Sequence, residues 1–155
     1  MTSAVDHVRT TLTAHGHVGG ITELPAPAPT AAAAAELLGC PVGAIANSLV
    51  FEADGAPLLI VASGGHRVDL EKAAAHVGVR KVRRATPEFV LAATGQQVGG
   101  VAPVGHPAPL RTLVDTALAG HDQVWAGGGV PHAMFRTTFA ELLALTGGEA
   151  VAVGV

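Results

Sequence analysis

The chain has no tyrosine, a single cysteine, a single tryptophan and few charges. Its 155 residues are 3% aromatic and 14% charged, against 49% hydrophobic. A core must therefore come from Ala, Val, Leu and Ile. Few rings are left on which bases could stack, which argues against a single-strand binder of the aromatic-platform type. The formal net charge is −3, whereas a protein that holds nucleic acid mainly through its phosphates is normally basic. Any RNA contact is then local or brief. With Cys40 alone, no internal disulfide can form, and a reducing cytoplasm fits best. Cys40 reads either as a nucleophile or as a small buried apolar residue, the commoner use. The segment Met1 to His15 is polar and amphipathic, without a signal-type apolar run. The most apolar stretch, Pro57 to Ala62, is far too short to span a bilayer. A soluble, cytoplasmic protein with no membrane partner is expected. Low charge with high apolar content excludes disorder as the default, and the length suits one domain, residues 1–155.

Familiar chemical motifs are also missing. Eight histidines are present, but His15-x-His17 and the scattered others lack HExxH or Cys-His spacing. No metal and no cofactor are expected. Ser63-Gly64-Gly65 is not a nucleophile elbow. Gly127-Gly128-Gly129 lacks the spacing of a dinucleotide fingerprint, and no phosphate-binding P-loop occurs.

What is present centres on Thr94 to His106, a stretch of four glycines, one proline and one histidine. Glycine lets another backbone or a ligand approach closely, and proline stiffens the chain. Gly99-x-x-x-Pro103 is either a tight connection between strands or a loop whose N–H groups hold a carbonyl oxygen or an anion. Around it, Ser3 with Asp6, Thr30, Asp69, Thr86-Pro87, and Thr138 with Glu141 read as helix starts. Gly39, Gly78, Gly95 and Gly147 read as helix stops. Asp54-Gly55 is a hairpin signal between strands Ile45 to Ala53 and Pro57 to Ala62. The second of these is apolar nearly throughout and should lie centrally. Ile21 to Leu24, Val79 to Arg84, Leu110 to Val114, Gln123 to Ala126, Ala133 to Arg136 and Ala150 to Val153 are further strand candidates. Helices and strands do not alternate regularly. The expected fold is α+β, with a mixed, partly closed six- or seven-stranded sheet flanked by helices. Arg80, Lys81, Arg83 and Arg84 form the only basic cluster, either a solvated strand edge or a phosphate-facing patch.

Several blocks carry a resemblance: Asn47-Ser48-Leu49-Val50-Phe51, Gly65 to Lys72, Thr94 to His106, Val114-Asp115, and Trp125 to Gly129 with Phe135 and Glu141-Leu142 beyond. In order and spacing they resemble the YbaK/ProX-type aminoacyl-tRNA deacylases, relatives of the editing domain inserted in bacterial prolyl-tRNA synthetase. The likeness covers roughly residues 20 to 153. It implies a single mixed α/β domain that hydrolyses the ester of a wrongly charged tRNA in trans, tRNA-Pro carrying Cys or Ala. The implied partners are the acceptor end of aminoacyl-tRNA and prolyl-tRNA synthetase. The resemblance assigns catalysis to Asn47, Gly99, Gly100 and Asp115. It assigns substrate binding to Ser48, Arg67, Val101, Pro103, His106, Gly127 and Gly128; the basic cluster Arg80, Lys81, Arg83 and Arg84, read from the residues themselves, is the expected RNA contact. One position departs from the family: its lysine is Asn47 here, a hydrogen-bond donor without charge. Two readings follow: a deacylase leaning on the loop, on Arg67 or on His106, and a catalytically weak or silent binder of aminoacyl-tRNA or of a synthetase.

Overall fold

A computed structural model of the chain describes residues 3–155. Each helix begins where a side chain can accept from its first turn. Ser3 accepts from Asp6 N–H at the head of α1 (Ala4–Ala14), and Thr30 from Ala33 N–H at α2 (Ala31–Leu38). Asp69 caps α3 (Leu70–Val77), and Thr86, followed by proline, caps α4 (Pro87–Thr94). Thr138 caps α5 (Phe139–Thr146). Four of the five helices stop at a left-handed glycine, Gly39, Gly78, Gly95 and Gly147. Such caps are each worth about 1 kcal/mol.

The strands are β1 (Ile21–Glu23), β2 (Ile45–Ala53), β3 (Ala56–Ser63), β4 (Val82–Arg84), β5 (Arg111–Asp115), β6 (Val124–Gly127), β7 (Ala133–Thr137) and β8 (Glu149–Val151). They form one mixed sheet in the order β1-β7-β6-β2-β3-β5-β8, with β4 also pairing β2. The sheet thus has eight strands, not six or seven, because the three-residue β1, β4 and β8 all pair. Asp54 and Gly55 both take positive φ, 48° and 91°. That is what a two-residue turn matched to strand twist requires, and it sets Ala53 opposite Ala56. The expected strand over Val79 to Arg84 is shorter, because the Arg80 and Lys81 N–H groups donate to the Asp54 carboxylate instead of to a strand.

Period-two alternation divides the apolar side chains between the two faces of the sheet. Ala46, Val50, Leu59, Val61 and Val114 pack with residues of α1, α4 and α5 on one face. Leu58, Ile60, Ala62 and Leu113 pack with α3 on the other, and Ile45 packs with α2. β3, buried on both faces between β2 and β5, is central as its composition requires. Phe135 on β7 is fully buried in the first cluster. Phe135→Ala is expected to lower the unfolding free energy by about 3–5 kcal/mol, read from the shift of a urea unfolding curve. A loss below about 1 kcal/mol would mean the site collapses around the smaller side chain.

Candidate active site

The glycine loop leaves α4 at Gly95 and is held from inside by two side chains. Gln96 is only 2% exposed. Its Oε1 accepts from Ala102 N–H at 2.7 Å, and its Nε2 donates to Val104 C=O at 3.1 Å. The Thr94 hydroxyl accepts from Gln96 N–H at 3.0 Å and lies 2.7 Å from Val90 C=O, which ties the loop to α4. At the carbonyl of the same residue, His106 Nε2 donates to Ala102 C=O at 2.9 Å. Burial pushes the His106 pKa down, opposed by that hydrogen bond. The bond needs a proton on Nε2, and burial favours the neutral ring that carries it there.

A second backbone segment, the β6–β7 turn, lies against the loop. Gly129 N–H donates to Gly100 C=O at 2.9 Å. A Cβ on Gly100 would run into the Val130–Pro131 backbone, and one on Gly127 would meet Val101 C=O at 2.5 Å. These two glycines permit the close approach of two chains, a use distinct from positive φ. After these contacts are made, the N–H groups of Gly99 and Val101 have no acceptor among the described residues. Gly99, Gly100 and Val101 line a cavity of about 830 Å³.

The opposite wall of this cavity is a break in the sheet. β6 pairs β2 only at Ile45 and Ala46, whereas β4 pairs it only from Phe51 to Ala53. Between them, residues 47–50 of β2 have no strand neighbour on that edge. Odd-numbered residues bond toward β3, as Gly64 N–H does to Ile45 C=O, and even-numbered residues bond toward β4, as Asp54 N–H does to Lys81 C=O. The N–H and C=O of Ser48 therefore point into the gap. The Ser48 hydroxyl is buried and also has no partner among the described residues. Its side chain lies on the face of Ala46 and Val50, which pack with Val101. Asn47 also lines the cavity but projects from the other face of β2, shared with Ile45.

Of the residues singled out from the sequence, Asn47, Ser48, Arg67, Gly99, Gly100, Val101 and Gly127 come together around this cavity, and Arg84 joins them. The others lie elsewhere. Pro103 is buried behind the loop and His106 braces it. Gly128 is buried in the β6–β7 turn, where its N–H donates to Ala133 C=O. Asp115 is 1% exposed and accepts from Ser63 N–H, Ala117 N–H and His66 Nε2. It reaches the cavity through His66 and Ser63, which both line it. The basic cluster divides. Arg83 pairs across the strands with Glu52 at 3.0 Å, and Arg80 and Lys81 sit at the Asp54 turn. Among the described residues, the cavity lining holds Arg67, Arg84 and His66 as its only cationic or titratable side chains and no carboxylate. No group of three or more potential metal ligands occurs among the described residues, and no helix there is long and apolar enough to cross a membrane.

Residues 25–145 match the family model of the aminoacyl-tRNA editing domain. The chain belongs to that family. The editing domain is 32% identical over 136 residues to the uncharacterized protein YwhH of Bacillus subtilis (strain 168), covering 87% of this chain and 86% of that one. It is 35% identical over 109 residues to a proline–tRNA ligase of Nitratidesulfovibrio vulgaris (strain Hildenborough), covering 70% of this chain but 19% of the ligase. A crystal structure described as a candidate trans-editing enzyme for prolyl tRNA synthetase superposes with a TM-score of 0.92. That protein is 42% identical, and the match covers 100% of this chain and 99% of the other. Family and fold together support a deacylase-type role for this editing domain.

Gln96 and His66 were not singled out from the sequence, although both fall inside the blocks that carried the resemblance. An amide pair, Gln96-Gln97, in a run of glycines and small apolar residues is the one visible sign of Gln96. The neutral His106 brace carries a pH signature. Burial places its folded-state pKa below the ordinary 6.5, so the unfolded chain takes up the proton first. Its stabilising contribution is present above about pH 6.5 and is lost as pH falls through the lowered folded value. The thermal midpoint should fall from pH 7 to pH 5, and His106→Gln should flatten that fall; an equal fall in both proteins would remove His106 from the account.

Proposed function

We propose that the protein hydrolyses, in trans, the ester of a tRNA charged with the wrong amino acid, with tRNA-Pro carrying Cys or Ala as the substrate. The observation that carries this reading is the pair of N–H groups on Gly99 and Val101, without internal acceptors on residues of the cavity wall. Attack of water on an ester carbonyl builds negative charge on its oxygen. N–H donors already fixed in place stabilise that charge without reorganising. The Gln96 and His106 braces supply the fixing. Asn47 and Ser48 on the β2 wall complete the pocket for the aminoacyl group. Arg67 and Arg84 suit the phosphates of the acceptor end, because no carboxylate lines the cavity to neutralise them. Asp115 acts as a positioning residue, holding His66 at the cavity wall. Prolyl-tRNA synthetase is the partner enzyme whose errors this reaction would clear, in a reducing cytoplasm that suits the lone Cys40.

One observation favours a second reading, a silent binder of aminoacyl-tRNA: Asn47 stands where the family carries lysine. Incubation with Ala-, Cys- and Pro-charged tRNA-Pro separates the two. Release of amino acid above background from a mischarged species is expected; tight binding without release would establish the binder. In the hydrolase, Asn47→Lys should raise the rate by about tenfold, since a charge-assisted contact of about 1.5–3 kcal/mol exceeds the 1.36 kcal/mol that a factor of ten requires. Asn47→Ala should lower it. If neither substitution changes hydrolysis or binding, Asn47 is a strand residue and no more.

The basic cluster has its own test. Each neutralised phosphate steepens the fall of affinity with salt. Arg84→Ala should flatten the salt dependence of tRNA binding, whereas Arg83→Ala, which removes an ion pair to Glu52, should alter it less. Equal slopes for both variants and the parent protein would return the cluster to a solvated edge.

A further inference from the structure

We infer that the cleft selects acyl groups bearing a free α-amino group, and that Ser48 receives it. This rests on the reading that the cavity takes an aminoacyl ester, but it adds a requirement that ester hydrolysis alone does not impose. Ser48 is the one residue of β2 that combines three unpaired polar groups. Its N–H and C=O face the gap between β4 and β6, and its buried hydroxyl has no partner. Buried polar groups left unpaired are costly, and native structures pair the great majority of them. A wall of this kind implies a ligand, or ordered water, that completes it.

The chemistry of that ligand follows from the two walls together. The loop wall offers the free N–H donors of Gly99 and Val101, which suit a carbonyl oxygen. Beside its N–H, Ser48 on the β2 wall adds two acceptors, its carbonyl and hydroxyl oxygens, which suit a group carrying several N–H bonds. An α-amino acyl group presents its carbonyl oxygen and its amino nitrogen on adjacent carbons, an acceptor beside a donor. A fatty or simple acyl group presents only the first. No carboxylate lines the cavity to bind a cation by charge, so the amino group is recognised by hydrogen bonds. An α-amino group has an ordinary pKa near 7.7–8.0, and it donates whether or not it is protonated. Without it, the Ser48 acceptors stay unpaired inside a filled pocket, and that mismatch is the basis of rejection.

The test uses two ligands of nearly equal size. Alanyl and propionyl amides of 3′-amino-3′-deoxyadenosine mimic the end of a charged tRNA, and the second lacks only the amino group. Calorimetric titration is expected to show the alanyl compound binding at least about tenfold more tightly, as loss of a paired hydrogen bond in a buried site predicts. Ser48→Ala should narrow that ratio by about threefold or more, by removing one of the two acceptors, with the alanyl compound losing more affinity than the propionyl one. Equal affinities, or no binding of either compound, would overturn the inference without any variant being made. Hydrolysis is scored separately with alanyl- and propionyl-tRNA. Equal cleavage of both would leave the deacylase reading standing and remove this one. Selective binding of the alanyl amide without cleavage of any charged tRNA would retain this inference and remove the hydrolase.

Discussion

The candidate site in this fold depends on β2 changing neighbours along its length. It pairs β6 at its first two residues and β4 at its last three, and the residues between them have no partner on that edge. An unpaired edge inside a sheet is an unusual thing to leave open, because each N–H and C=O must find a partner somewhere. Here the opening is part of the cavity, and the glycine loop stands across it. Pairing on the other edge is unbroken, with β3 bonded to β2 in register from Ala46 to Ala53. The gap is therefore framed by a rigid strand and does not depend on a mobile one.

The loop faces the gap with a fixed shape for a reason that lies in side chains more than in glycine. Gln96 holds Ala102 N–H and Val104 C=O, and His106 holds Ala102 C=O. Removing a partner from a buried hydrogen bond typically costs about 1–3 kcal/mol, so the amide is a strong constraint on loop geometry. Gly100 and Gly127 serve the same end differently, by letting the β6–β7 turn press against the loop without a Cβ between them. The outcome is a pair of N–H groups held in place before any ligand arrives. Preorganised donors of this kind stabilise developing charge better than water, which has to reorient.

The electrostatics are equally local. A chain of net charge −3 places no carboxylate around its cavity, yet brings Arg67 and Arg84 to it from separate elements. Acidic groups are occupied elsewhere: Glu52 with Arg83, Glu149 with His76 and Arg111, Asp54 and Asp115 with backbone N–H groups. The overall charge thus says little about this surface, since fields between exposed groups fade over about 8–10 Å at ordinary salt.

What the sequence determined by itself was the set of local structures. Ser3, Thr30, Asp69, Thr86 and Thr138 begin helices because a cap acts over three residues, and Asp54-Gly55 turns the chain because two adjacent residues can adopt positive φ. The motif blocks around Asn47, Gly65 and Gly99 identified the family for the same reason: short spacings survive as patterns. Tertiary structure alone decided where β4 and β6 stop along β2, and so which residue faces the gap; nothing local in Asn47-Ser48-Leu49 says that Ser48 will be left unpaired. It also decided that Arg84, and not Arg83, reaches the cavity, that Asp115 bonds His66, and that His106 bonds the Ala102 carbonyl of the loop. Those outcomes depend on contacts between residues far apart in the chain, such as Ser63 with Asp115 and Arg83 with Glu52. The side-chain pattern of a strand names its two faces, but not its neighbours.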